Sequence, residues 1–208
     1  MKKCILISGA VLTDTNFLRN NIASDDFIIC ADAGYITALR CGCTPSLIVG
    51  DFDSACRPDF ENVEILDLPC EKDDSDTLAA VKAALDRGYR EFDIYGAMGN
   101  RIDHSYANIL TLDYIYRHGG SARILTPYCE ISLLKSGVNT ICQNEYRYFS
   151  LFSFLEKTEH LSIIGAKYPL EDVSLEPFSQ IGISNEIAGS RCDIVFKTGK
   201  LLLIRSND

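Results

Sequence analysis

Five carboxylates fall in two short clusters. Asp51 and Asp53 lie within Gly50-Asp51-Phe52-Asp53-Ser54, and Asp73, Asp74 and Asp76 within Lys72-Asp73-Asp74-Ser75-Asp76-Thr77. Each cluster follows an apolar run that reads as a strand: Leu47-Ile48-Val49 before the first, Val63 to Leu68 before the second. If these strands are parallel neighbours, both clusters emerge at one edge of a sheet. Carboxylates crowded into one crevice repel each other unless a cation joins them. Hard divalent cations such as Mg²⁺ take oxygen ligands, commonly one or two carboxylates plus substrate phosphates. The pattern therefore points to a Mg²⁺ and polyphosphate site. Asp and Ser also mark solvated turns, but two clusters at the same edge favour the metal.

The local spacing supports this. Asp51 and Asp53 are two apart, so in an extended segment both point to one side. Gly50 lets the backbone approach a ligand closely. Asp73, Asp74 and Asp76 sit where a loop enters a helix, and a helix N-terminus favours negative charge. For Asp74 capping is explanation enough. A third motif, Gly96-Ala97-Met98-Gly99-Asn100-Arg101-Ile102-Asp103-His104, reads as a strand end, a glycine-containing loop and a helix start. Backbone amides of such a loop cradle phosphate, and Arg101 offers a bidentate clamp. Asp103 reads equally as the N-cap of the following helix, and His104 as structural. Gly182-Ile183-Ser184-Asn185 reads locally as a turn.

The elements that must position these groups alternate. Strands are expected at 3–8, 27–31, 47–50, 64–68, 92–95 and 122–125. Helices are expected at 17–22, 35–41, from Ser75 as N-cap to about Arg87, and at 103–118. Such alternation implies βαβ units and a parallel sheet. In an open α/β sheet, ligands bind outside the carboxyl ends of the strands. Asp32 follows the second strand, so four polar motifs meet at one edge. After Pro127 the helical periodicity stops. Strand-like runs follow at 131–134, 146–154, 161–164, 192–196 and 201–205, with Thr198-Gly199-Lys200 read as a hairpin turn between the last two. The expected architecture is an α/β domain over 1–127 and an antiparallel sandwich or barrel over 128–208.

Composition bounds the function. The chain has 208 residues, 47% hydrophobic and 24% charged, with a net charge of −9. That charge argues against nucleic acid, whose binding needs a basic footprint. It does not argue against a nucleotide reached through a metal. No apolar run approaches the roughly 20 residues of a membrane span, and the apolar stretch after Met1 is too short for a secretory signal. Nine cysteines lack framework spacing, and three histidines do not pair with them as zinc ligands would. These read as free thiols of a cytoplasmic protein, with Cys4 and Cys30 as core residues.

Seven segments, taken in order, resemble the thiamine pyrophosphokinase family: ADAG (31–34), GDFDS (50–54), KDDSDT (72–77), GAMGNRIDH (96–104), GAKYPL (165–170), GISNE (182–186) and GKLLLI (199–204). The chain departs from the usual family pattern at Ala33 and Asn100, where Gly is usual, and at Ala166, where Leu is usual. The resemblance implies transfer of a diphosphate from ATP to the hydroxyl of thiamine, giving thiamine diphosphate and AMP. It implies a Rossmann-like domain, a C-terminal β-sandwich and a homodimer with composite active sites. By position, Asp51, Asp53 and Asp76 would hold Mg²⁺. Asp32, Gly50, Arg101 and Asp103 would face ATP. Lys72, Asp73, Ser75 and Asp76 would line the junction of triphosphate and thiamine, and Ser184 and Asn185 would touch thiamine from the partner subunit. Asp73 and Asp76 are the two candidates to accept the hydroxyl proton.

Three other readings compete. A pyrophosphokinase acting on another alcohol, such as a pterin, would share the first domain but not the GAKYPL and GISNE segments. A haloacid-dehalogenase-like phosphatase needs its nucleophilic Asp after the first strand, where this chain has Ser8-Gly9-Ala10. A non-catalytic nucleotide sensor would not need the whole carboxylate set.

Overall fold

The computed structural model describes residues 3–52 and 56–207. The chain divides into two compact units, 1–127 and 128–208. In the first, β1 (Lys3–Ile7), α1 (Thr15–Asn21), β2 (Phe27–Ala31), α2 (Gly34–Arg40), β3 (Leu47–Gly50) and β4 (Glu64–Asp67) are followed by α3 (Asp76–Asp86), β5 (Glu91–Tyr95), α4 (Ile102–Arg117) and β6 (Ser121–Leu125). The six strands form a parallel array ordered β6-β5-β1-β2-β3-β4. The chain winds outward from β1 to β4, then returns to the other side of β1 for β5 and β6. The order therefore reverses between β1 and β5, and a crevice opens at the carboxyl ends of that strand pair.

Burial explains the long apolar runs. In β1, Cys4, Ile5, Leu6 and Ile7 are all fully buried, because both faces of a parallel sheet are covered. Ile5, Ile7, Ile28, Cys30 and Ile48 pack with Leu18, Tyr35 and Ala38 of α1 and α2. Leu6, Ile29 and Val49 are buried as well, and α3, which contacts β1, β2 and β3, carries the buried Ala80, Val81 and Ala84. Burial pushes the Cys4 thiol up to about 12 and raises that of Cys30 too. Both are inert core residues, and all nine cysteines are free. Among the described residues, no helix is long and apolar enough to cross a membrane.

The second unit is wholly antiparallel. Its strands are β7 (Cys129–Leu134), β8 (Gly137–Cys142), β9 (Tyr148–Ser153), β10 (Thr158–Ile164), β11 (Leu170–Leu175), β12 (Asn185–Glu186), β13 (Arg191–Phe196) and β14 (Leu201–Ser206). They form the arrays β12-β9-β14-β7 and β11-β10-β13-β8. One core takes Phe149, Leu151, Leu201 and Leu203 from the first array, and Leu161, Ile163, Ile194 and Phe196 from the second.

Two expectations fail here. Thr198-Gly199-Lys200 is not a hairpin turn: β13 pairs with β8 and β10, whereas β14 pairs with β7 and β9, so the segment carries the chain from one array to the other. Gly199 is needed because its backbone presses on 157–158; a Cβ there would lie 2.5 Å from the Lys157 carbonyl oxygen. In addition, β8, β11 and β12 have no counterpart among the expected strands. All three lie at the edges of their arrays, where one exposed row dilutes the apolar pattern.

Candidate active site

Strands β1, β2, β3 and β5 each deliver a different group to the carboxyl edge of the sheet. After β1 and β5, the Ser8 amide donates to the Tyr95 carbonyl (2.8 Å) and the Ala10 amide to the Gly96 carbonyl (3.0 Å). The two loops run so close that a Cβ on Gly96 (φ +62°) would lie 2.5 Å from the Ser8 oxygen. After β2, Asp32 adopts φ +44°, a left-handed conformation that Asp tolerates better than most residues, and its amide donates to Val49 at 2.8 Å. After β3, Gly50 leaves room beside Asp32: a Cβ there would sit 3.1 Å from the Asp32 Cα. The loops after β1, β2 and β5 wall a cavity of about 480 Å³, lined by Gly9, Asp32, Gly96, Gly99, Arg101 and Asn108 among others. Its floor is fixed by a buried hydroxyl pair, Ser8 Oγ to Thr77 Oγ1 at 3.0 Å, and by Asn108 Nδ2 donating to the Ala97 carbonyl at 2.8 Å.

A second hollow of about 360 Å³ shares Asp32, Thr77, Arg101 and Asn108 with the first and adds Asp51, Lys72, Ser75 and Asp76. Its electrostatics centre on Lys72, whose ammonium hydrogen-bonds Asp51 Oδ2 and lies 2.9 Å from Asp76 Oδ1. The Asp51 side chain is only 7% exposed and that of Lys72 14%. Burial alone would lower the Lys72 pKa. Hydrogen bonds to Asp51 and Asp76, with their charges, outweigh it, so the ammonium is held above its ordinary value. Asp76 is the first residue of α3, where the helix dipole also favours a carboxylate. Ser75 caps that helix by accepting from the Leu78 amide at 3.2 Å. Asp74 pairs with Lys82, and Asp73 is exposed on the loop.

Of the two readings left open for Asp103, the N-cap role fails. The N-cap of α4 is Arg101, with no side-chain capping bond, and Asp103 lies inside the first turn. There it makes a bidentate pair with Arg101 (3.0 and 2.6 Å), which holds the Asp103 carboxyl down at about 2. Both side chains are largely solvent-exposed, so the pair contributes little to stability. It leaves the Arg101 guanidinium at the rim of both hollows.

The structure thus brings Asp32, Asp51, Lys72, Ser75, Asp76 and Arg101 around two adjoining hollows. Asp53 lies outside the described residues. Sequence reasoning missed Ser8, Thr77 and Asn108 as builders of the site. A polar residue following a buried strand was the available signal for Ser8, and the end position in the KDDSDT segment for Thr77; Asn108 gave none beyond its place in a helix. For a divalent cation, Asp51 and Asp76 supply two hard oxygen donors within reach of one ammonium. Among the described residues no three His, Cys, Asp or Glu side chains group as a metal cage. Two carboxylates, with phosphate oxygens and water completing the shell, suit Mg²⁺.

Ser184 and Asn185 lie in the second unit. Ser184 is exposed with φ +55°. Asn185 is 3% exposed and holds the 165–168 segment: its Oδ1 accepts from the Tyr168 amide at 3.0 Å, and its Nδ2 donates to the Tyr168 carbonyl at 2.7 Å. Asn185→Ala strands both backbone groups, a loss of about 2–4 kcal/mol. Its melting temperature is expected to fall by roughly 5–10 °C. An unchanged melting curve would show that the segment does not depend on this side chain.

A parallel sheet with its switch-point cleft lined by glycine loops, an arginine and paired carboxylates belongs to the class that handles nucleoside polyphosphates. Comparison with known proteins narrows the class. Residues 18–123 match the family "Thiamin pyrophosphokinase, catalytic domain" and residues 138–203 match "Thiamin pyrophosphokinase, vitamin B1 binding domain". The thiamine pyrophosphokinase of Bacillus subtilis is 32% identical over 183 residues, covering 85% of this chain and 86% of that one. A crystal structure of the Bacillus subtilis enzyme superposes with a TM-score of 0.90 at 28% identity, covering all of both chains. One from Geobacillus thermodenitrificans gives 0.86 at 28% identity, covering 100% of this chain and 98% of that one. The chain belongs to the thiamine pyrophosphokinase family.

Proposed function

We propose that the protein transfers a diphosphate from ATP to the hydroxyl of thiamine, giving thiamine diphosphate and AMP. The observation that carries this is the match of both units, in order, to the catalytic and vitamin B1 binding domains of one family. The acidic cleft lies within the first of these matches. On this reading the first unit is a Rossmann-like domain, the second a β-sandwich, and the protein a homodimer of the cytoplasm.

The roles follow from the chemistry available. Gly50 and the glycine loop from Gly96 admit the nucleotide to the switch-point cavity, with Asp32 beside it. Arg101 leaves Asp103 to clamp phosphate oxygens, a fork an ammonium does not reproduce. Asp51, Asp76 and Asp53 hold Mg²⁺, which when bound neutralises charge on the phosphates. In phosphoryl transfer the protein mainly positions groups and stabilises charge. Lys72, Ser75 and Asp76 line the place where the thiamine hydroxyl meets the β-phosphorus, with AMP leaving in line. Asp73 or Asp76 takes the hydroxyl proton. Asp76 is engaged by Lys72, which favours the exposed Asp73. Ser184 of the partner subunit meets thiamine, on a loop that Asn185 of the partner subunit holds in shape.

The test is direct. Purified protein with ATP, Mg²⁺ and thiamine should yield AMP and thiamine diphosphate in equal amounts. ADP with thiamine monophosphate would overturn the reaction, and turnover of a pterin alcohol in place of thiamine would overturn the substrate.

A further inference from the structure

Asp51 follows β3, Asp76 opens α3, and the Lys72 ammonium lies between them in a poorly solvated part of the cleft. Two carboxylates brought this close repel unless a positive charge joins them. In the structure that charge is Lys72, at the place where a divalent cation would be expected to sit.

We propose that Lys72 is a resident counter-cation: it holds the Asp51–Asp76 pair in the metal-free site, yields it to the divalent cation, and transfers its ammonium to the polyphosphate that arrives with the metal. The inference rests on the reading of Asp51 and Asp76 as cation ligands. A dication and an ammonium sharing the same two carboxylates repel strongly where water screens them little. Lysine suits the exchange. Its charge sits on a flexible four-carbon stem, so Nζ can move while the loop backbone stays, and an ammonium is an effective point-charge partner for phosphate. The loop holding Lys72 is anchored on its C-terminal side, by the Ser75 cap and by the Asp74–Lys82 pair.

The consequence is a coupling between metal and nucleotide. Metal alone must displace the ammonium without offering it a new partner, so it binds weakly. With a polyphosphate present the displaced ammonium is re-paired, and both ligands bind better by the same factor. The repulsion within the carboxylate pair thus stays partly offset when the site is empty, and the metal loads chiefly with its substrate.

The experiment titrates Mn²⁺ into the full-length protein, with and without α,β-methylene-ATP, and reads free Mn²⁺ by electron paramagnetic resonance. In Lys72→Met, Mn²⁺ alone should bind roughly tenfold more tightly than in wild type, because its competitor is gone. The gain in Mn²⁺ affinity caused by the analogue should shrink. Lys72→Arg, which keeps the charge, should stay near wild type. Lys72→Gln, which keeps hydrogen bonding without charge, should tighten like the Met variant and serves if that one misfolds. A lysine that merely struts the loop predicts the opposite, since loosening the loop cannot tighten the metal. Equal or weaker Mn²⁺ binding in both neutral variants, while Asp51→Asn and Asp76→Asn lose it, would overturn the exchange and leave the metal site standing. Wild-type Mn²⁺ binding in Asp51→Asn and Asp76→Asn would remove the metal site, and the exchange with it.

Discussion

Asp51→Asn and Asp76→Asn each lower AMP formation by about 10³-fold, the scale on which loss of one transition-state electrostatic contact is felt. The folded chain survives both changes. Asparagine keeps the size of aspartate and one oxygen acceptor but removes the charge that holds a hard cation. The effect is expected to be larger for Asp51, whose side chain is 7% exposed against 26% for Asp76. Either change leaves Lys72 with one carboxylate in place of two, so stability falls as well, by about 1–3 kcal/mol. Circular dichroism melts separate that loss from the catalytic one: both variants should still be folded at the assay temperature. The Mg²⁺ concentration for half-maximal rate should rise in the residual activity. Wild-type turnover for both variants at limiting Mg²⁺ would remove these residues from the metal site.

The first unit was legible because its strands are buried on both faces. Runs such as Ile28-Ile29-Cys30 have no other stable home in a chain of this size, and β2 and β3 begin and end where the apolar runs do. The acidic edge was legible for a related reason. Once the strands are parallel, whatever follows each of them must share an edge, so Asp32, Asp51, Ser75 and Asp76 had to converge. What the sequence hid were pairings between side chains. Nothing in Lys72-Asp73-Asp74-Ser75-Asp76 says that the lysine pairs with Asp51, or that Asp74 pairs with Lys82. Arg101 and Asp103 looked like two separate functions and prove to be one ion pair. The second unit was read less well. Its edge strands, such as Leu170–Leu175, bury too few side chains to show a period. Gly199 looked like a hairpin glycine, though its small size serves a close approach of two backbones.

The active sites are expected to be shared between subunits, and a heterodimer decides it. One variant carries Asp51→Asn with Asp76→Asn and has no working acidic edge. The other carries Ser184→Lys. Ser184 is exposed, so a longer side chain does not disturb the core, and the added ammonium repels the fixed positive charge of the thiamine thiazolium ring. Asn185 is unsuited to this role, since its amide holds the Tyr168 backbone and its loss would be read as unfolding. Each homodimer should be nearly inactive. In an isologous dimer that completes each acidic edge with Ser184 of the partner subunit, co-expression places both lesions in one site and leaves the second intact. A heterodimer isolated through two different tags should therefore recover about half of wild-type AMP formation when the two symmetry-related sites work independently. Sites built within one subunit would each carry one lesion, and no activity would return. A purified heterodimer as inactive as its parents, or a fully active monomer, would rule the shared site out.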